Sequence, residues 1–251
     1  MPYDRTKTMK TIIYLTDNTL EKSIADKCRE ILLREHGDNP IISVSQKPID
    51  LGINICVGDI GKSWMSLFKQ QLAGLEAATT KYVAIAEHDC MYTREHFDWI
   101  PPKDDVFYYN HNHYLVEWHG NHPEIDGMYS KWSRHRNALS QLICSRDLLY
   151  NSIKEKLDLL NKGLLIMRKA GEPGAFPDNF LANAAKWAIS GRCVHLMKYL
   201  ERYMQTYTHE DFVTKIPNLD IRHKTNFTGP RRGKQRTYEL PYWGRFENVM
   251  K

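Results

Sequence analysis

The sequence predicts a single α/β domain with a mainly parallel central sheet flanked by helices. Two observations predict it. Residues 11–86 run strand, helix, strand, helix, strand, the order that gives parallel strands joined by right-handed crossovers. The run Tyr82-Val-Ala-Ile-Ala86 is apolar without alternation, as in a strand covered on both faces, and it stops on Glu87-His88-Asp89.

Thr11-Ile-Ile-Tyr-Leu15 is the first strand, ending at Thr16-Asp17-Asn18. Met9-Lys10 reads as a natural start, with residues 1–8 an extension. A helix follows over Leu20–Arg34, because Ile24, Cys28, Ile31 and Leu32 recur at helical spacing. Gly37-Asp-Asn-Pro40 stops it, and Ile41-Ile-Ser-Val44 is the second strand. A glycine-bearing loop leads to a helix over Lys62–Ala77, whose stripe Trp64, Leu67, Phe68, Leu72 and Leu75 faces the core. Beyond residue 100 the strands shorten, to Asp105–Tyr109 and Tyr114–Trp118. Residues 119–137 carry His, Asn, Gly, Trp and Arg with no period, and loops of that length are more often functional than decorative. Ala138–Cys144 predicts a strand, Arg146–Asn161 and Phe180–Ser190 helices, Gly171-Glu-Pro-Gly174 a turn, and Asn218–Ile221 a last strand. Nothing marks a break between domains.

Composition excludes several classes. The 251 residues are 42% apolar and 26% charged, as in a soluble globular protein. No apolar run reaches the length of a membrane span, and the polar N-terminus lacks a secretory signal, so a cytoplasmic site is expected. The five cysteines are odd in number, widely spaced and form no C-x-x-C pair, which argues against a zinc knuckle or a disulfide framework. Cys90 is expected to pack rather than react. The net charge of +5 is unevenly spread. Arg222, Lys224, Arg231, Arg232, Lys234 and Arg236 share one acid-free segment with Gly229, Pro230 and Gly233. That pattern predicts a flexible basic loop able to hold polyanions, or else a solvated surface loop.

The acids after the Tyr82–Ala86 strand carry the functional reading. Acids there stand where open α/β sheets bind their ligands. Two residues apart on extended backbone, Glu87 and Asp89 would share one side while His88 points away. Paired carboxylates repel unless a cation or proton joins them, and such oxygens suit Mg²⁺ or Mn²⁺. A plain solvated strand end is the alternative.

Further short stretches accompany these acids: Tyr14-Leu-Thr-Asp-Asn18, Ser43-Val-Ser-x-Lys-Pro48, Gln71-Leu-Ala-Gly-Leu-Glu-Ala77, Asp105-Val-Phe-Tyr-Tyr-Asn110, Glu172-Pro-Gly174, and Asn218-Leu-Asp-Ile-Arg-His223 with Asn226-Phe-Thr228. In order and spacing the chain resembles the GT-A class of nucleotide-sugar glycosyltransferases, a Rossmann-related fold, and especially small phage and bacterial members. The resemblance covers nearly the whole chain. It implies that residues 1–100 form a βαβαβ half that binds the nucleotide sugar. Residues 101–251 would form the acceptor half, with the C-terminal metal and basic segment, in one continuous domain.

The resemblance also implies roles. Glu87-His88-Asp89 fills the place of the family's D-x-D, with Asp89 the safer metal ligand, Glu87 an indirect one, and His223 the added histidine. An imidazole beside carboxylates suits Mn²⁺ better than Mg²⁺. Thr16, Asp17 and Asn18 are candidates for base or ribose contacts, although Asp17 or Asn18 could equally cap the following helix. Lys47, Arg222 and Lys224 are candidates for the diphosphate, and uridine diphosphate is the default carrier. If transfer inverts the anomeric centre, Glu172 is the first candidate base and Asp178 the second. The best acceptor reading is a hydroxylated or hydroxymethylated pyrimidine in double-stranded phage DNA, which would place the enzyme in the host cytoplasm. Arg231, Arg232, Lys234 and Arg236 would track phosphates, and Trp118, Tyr129 and Trp132 could stack on a flipped base. A saccharide acceptor and a non-catalytic nucleic-acid-binding protein are the alternatives.

Overall fold

Strand β1 (Lys10–Thr16) is wholly buried, because it lies inside a sheet that is covered on both faces. Its neighbours β2 (Ile41–Ser45) and β4 (Tyr82–Glu87) run parallel to it, and β3 (Ile53–Cys56) runs parallel to β2 at the edge. Helices α1 (Lys22–Glu35) and α2 (Trp64–Ala77) make the crossovers. The computed structural model describes residues 9–131, 137–161, 207–226 and 235–251. The expected helix over Phe180–Ser190 and turn at 171–174 lie outside the described residues.

The second half of the chain completes the same sheet. Strand β9 (Leu142–Ser145) pairs antiparallel with β4, and β6 (Val106–Asn110) pairs antiparallel with β9. The last strand, β10 (Thr208–Phe212), pairs parallel with β6. The sheet is therefore mainly parallel with β9 reversed, as the α/β reading requires. The order β10-β6-β9-β4-β1-β2-β3 puts β1 and β4 side by side.

A second sheet was not legible in the sequence. It consists of β5 (Cys90–Met91), β7 (His113–Glu117), β8 (Tyr129–Lys131), β11 (Asn218–Arg222) and β12 (Arg236–Thr237), in the order β12-β8-β7-β11-β5. Strand β11 pairs antiparallel with β5 and parallel with β7. A chain segment from beyond residue 217 is thereby laid against the turn that follows β4.

Packing explains the layers. Phe68 and Leu75 of α2, with Leu149 and Ile153 of α4 (Arg146–Asn161), cover one face of the main sheet against Ile13, Val44, Val83 and Ile85. Gly74 lets α2 approach closely: a Cβ there would stand 2.5 Å from Ile13 Cγ2. Helix α2 starts at Ser63, whose hydroxyl accepts the Ser66 N–H at 3.0 Å. On the other side Tyr92 and Phe97 meet Ile12 and Ala84, the phenylalanine coming from the short α3 (Arg94–Asp98). Helix α1 and the C-terminal α5 (Phe246–Val249) pack on the second sheet through Ile24, Cys28, Tyr129, Ile221 and Phe246.

Two expectations need correction here. The loop between Val44 and Lys62 contains β3. It was missed because Ile53-Asn-Ile-Cys56 is an edge strand with Ile53 facing solvent, so it lacks a buried apolar run. Tyr129 is fully buried and packs edge-on against Phe246, so it is core and cannot stack on a base. Trp118 is half-buried against His119 and Phe246.

The candidate metal and nucleotide site

Registers of the two sheets bring the site together. In the main sheet Leu15 of β1 stands beside Glu87 of β4, and Thr16 beside Ser45 of β2. The C-terminal ends of three parallel strands thus share one rim. In the second sheet Asp220 stands opposite Cys90, and the Ile221 N–H donates to the Asp89 carbonyl at 2.8 Å. The residue after β11, His223, therefore arrives at Asp89 from 134 residues away.

A cleft of about 180 Å³ opens at this rim, lined among others by Asp17, Lys62, His88, Asp89, Ser140, Asp220 and Arg222. On its wall His223 Nε2 lies 3.3 Å from Asp89 Oδ2. Donor atoms of His88, Asp89 and His223 all fall within 4.8 Å of one another, and those of Glu87, Asp89 and Cys90 do so as well. Burial works to raise the Asp89 carboxyl, but the His223 hydrogen bond and the charges of His88, His223 and Arg222 outweigh it and hold Asp89 well below the usual carboxylate range. An ionised carboxylate with two imidazoles is a donor set that fits Mn²⁺. The expectation that His88 points away from the acids is corrected. Strand β4 ends at Glu87 and residues 88–89 form a turn, so the strand's alternation no longer applies.

Beside this cluster stands a polar one. Thr16 Oγ1 meets His88 Nδ1 at 2.8 Å. Asp17 accepts the Thr19 N–H at 2.9 Å and the Lys62 ammonium at 3.2 Å, and lies 3.6 Å from His88 Nδ1. Burial would raise Asp17, yet the Thr19 hydrogen bonds and the His88 and Lys62 charges bring it below its ordinary value. Burial also holds His88 below the usual imidazole range, against the pull of Asp89 and Asp17. Deeper in, Asp220 Oδ1 pairs with Arg222 Nη1 at 3.2 Å. Burial, opposed by Arg222 and aided by Asp89, pushes the Asp220 carboxyl up to about 6.

The structure separates the other candidates. Thr16, Asp17, Glu87, Asp89 and Arg222 line the cleft, and His223 adjoins it. Arg222 is not in a flexible basic loop, because it is a buried residue of β11. Asn18 does not line the cleft. It takes φ 60°, and its side-chain oxygen accepts the Gln46 and Lys47 N–H groups, tying β1 to β2. It caps no helix, since α1 begins after Glu21. Lys47 is exposed outside the cleft lining, and Lys224 is exposed on the side of Glu21. Arg236 is exposed on β12. Glu172, Asp178, Trp132, Arg231, Arg232 and Lys234 lie outside the described residues.

Sequence reasoning missed His88, Lys62, Asp220 and Asn226. One signal for Asp220 was present: Asn218, Asp220 and Arg222 alternate with Leu219 and Ile221, so three polar side chains share one face of β11. Lys62 had no signal, because its partners are 43 to 163 residues away. Cys90 is buried and free, as are Cys28 and Cys144, while Cys56 is free and exposed. Among the described residues no helix is long and apolar enough to cross a membrane.

No family model and no curated protein matches the chain. Among solved structures it is similar to the glycosyltransferase GlyE of Streptococcus pneumoniae TIGR4, at 10% identity over 81% of this chain and 45% of that one, with a TM-score of 0.44. It is similar to a glycosyltransferase involved in the glycosylation of the major capsid of PBCV-1, at 11% identity over 81% and 82% of the two chains, with a TM-score of 0.39. It is also similar to S. aureus TarS 1-349 in complex with UDP-GlcNAc, at 10% identity over 87% and 60% of the chains, with a TM-score of 0.39. The chain thus spans less than half of the GlyE chain.

Proposed function

We propose that the protein is a metal-dependent glycosyltransferase that moves a sugar from a nucleoside diphosphate sugar to a hydroxyl acceptor. The observation that carries this reading is the meeting of Asp89 and His223, with His88, at the rim of the parallel sheet. Asp89, His223 and His88 would hold the cation, with Glu87 beside them. When bound, a divalent ion neutralises charge on the departing diphosphate. The chain's own residues supply the rest. Arg222 adds fixed positive charge next to the cluster, and Thr16 and Asp17 offer hydrogen-bonding groups to the nucleoside. For an inverting transfer we assign the base to Glu172 first and Asp178 second.

The test is calorimetric titration with a panel of nucleotide sugars, UDP-GlcNAc first, with and without Mn²⁺, on wild type and Asp89→Ala. Metal-dependent binding of one donor that is lost in the variant supports the reading. No binding of any donor by wild type overturns it. For the base, Glu172→Gln is expected to lower kcat at least about 100-fold with KM for the donor little changed. Full activity in that variant would move the role to Asp178.

For the acceptor we propose hydroxylated or hydroxymethylated pyrimidines in DNA. The support is the run of cations through Arg231, Arg232, Lys234 and Arg236, of which Arg236 is exposed. Burial of Tyr129 leaves Trp118 and Trp132 as the stacking candidates. Modified duplex should bind with a steep salt dependence that flattens in the triple variant Arg231→Gln, Arg232→Gln, Lys234→Gln. Transfer to a free saccharide in the absence of DNA, with no DNA binding, would replace this acceptor.

A further inference from the structure

A set of polar contacts encircles the cleft and includes one cation that no role above accounts for. Lys62 precedes α2, in the loop whose Gly58 and Gly61 both take positive φ. That loop backbone is fixed: Gln46 Nε2 donates to the Gly61 carbonyl at 2.7 Å, and Ser66 Oγ donates to the Ile60 carbonyl at 2.6 Å. From this fixed base the ammonium reaches three partners, as many as its donors can serve. It meets Asp17 Oδ2 at 3.2 Å and Thr19 Oγ1 at 3.5 Å, and it donates to the Thr225 carbonyl. Thr225 Oγ1 in turn donates to the Thr19 carbonyl at 3.4 Å.

Thr225 is also the residue that grips the back of His223. Its hydroxyl lies 3.1 Å and its N–H 3.3 Å from His223 Nδ1, while Nε2 faces Asp89. The exposed pair Lys224–Thr225 has left the sheet, since β11 ends at Arg222. Its tie to the opposite wall runs through Lys62 and Thr19.

We propose that Lys62 is a positioning residue: by holding Thr225, it fixes the imidazole of His223 in the orientation that receives the cation. The proposal rests on the metal-dependent reading above. Groups that orient a ligand in this way change metal affinity although they never touch the ion.

The test is titration with Mn²⁺ alone, with no nucleotide, following the free ion by electron paramagnetic resonance. The proteins are wild type, Lys62→Met, Lys62→Arg and Asp89→Ala. Lys62→Met keeps the aliphatic stem and is expected to weaken Mn²⁺ binding about tenfold or more, with Lys62→Arg recovering most of the loss. Mn²⁺ affinity in Lys62→Met within threefold of wild type overturns the proposal, as does a larger loss that arginine does not recover. If wild type binds no better than Asp89→Ala, the metal reading itself has failed and this proposal goes with it. Should Lys62→Met not fold, Thr225→Val is read against the same threefold limit, because it cuts the hydroxyl's contacts with His223 and Thr19.

Discussion

Asn226 Nδ2 donates to Asp89 Oδ2 at 2.9 Å, so the amide of a residue beyond the sheet is bound to a carboxylate on the cleft wall. The amide's orientation is fixed by its other end, where Oδ1 accepts the His223 N–H at 2.6 Å. Nδ2 also lies 3.0 Å from His223 Nε2. One side chain therefore spaces the two groups that we assign to the metal. Asn226→Ala is expected to weaken Mn²⁺ binding by about tenfold to a hundredfold with little change in Tm. Calorimetric titration of Mn²⁺ checks this, and unchanged affinity would leave Asn226 a loop residue only.

A second prediction concerns acid. His96 and His113 are buried, and burial above all pushes each imidazole down to about 3. The His96 ring packs among Tyr92, Phe97 and Phe212, and Asn110 Nδ2 lies 3.4 Å from its Nδ1, an arrangement that suits the neutral ring. In the unfolded chain both titrate near 6.5. The depressed folded values mean that their stability contribution is complete above about pH 6.5 and is lost as pH falls toward about 3. At pH 5 the loss is about 2 kcal/mol from each. Urea unfolding at pH 7.5 and pH 5 should show this drop in wild type. A double variant His96→Gln, His113→Gln should show a smaller one.

The Asp220–Arg222 pair gives a third. Both side chains are buried, and removing one partner strands the other. Arg222→Met should cost about 3 kcal/mol by denaturant unfolding at pH 8, where Asp220 is otherwise ionised. Because Arg222 holds the Asp220 carboxyl down, the stranded carboxyl in the variant takes up a proton already above pH 6, and the cost should shrink as pH falls from 8 to 6. A cost independent of pH would show that packing rather than charge explains the loss.

Gly74→Ala sets two effects against each other. Helix propensity gains about 1 kcal/mol. Against it, the new methyl group would stand 2.5 Å from Ile13 Cγ2 and 3.2 Å from Val44 Cγ2, in a filled core, where overpacking costs about 1–3 kcal/mol. Overpacking wins, and Tm should fall by roughly 2–4 °C, read by circular dichroism. A rise in Tm would mean that α2 can move outward.

How far the sequence carried these conclusions depended on the range of each interaction. The strands β1, β2 and β4 and the helices α1, α2 and α4 were legible because periodicity is local and their burial is complete or one-sided. Strand β3 was not, because an edge strand has no need of a buried run. Asp89 was a candidate from its place after β4, and His223 from the resemblance and its place after a strand; the structure sets the two 3.3 Å apart. His88 was assigned to the wrong side, because the turn that rotates it into the cluster is imposed by β5 pairing with β11 far along the chain. Lys62 and Asn226 are ordinary surface-type residues in the sequence; Lys62 gains its partners where Thr225 approaches the β1–α1 loop, and Asn226 gains Asp89 where residues 223–226 approach the turn after β4. Arg222 was assigned to a loop by the company it keeps in the sequence, while its strand buries it.

The pairing of β11 with β5 has one more consequence. Register there is counted in whole residues, and neighbouring side chains point to opposite faces. A slip of a single residue would offer Asp89 an arginine or a lysine in place of His223. The cluster that we assign to the metal is therefore a gauge of correct strand alignment, and a misthreaded molecule would present a cationic group where we place the cation.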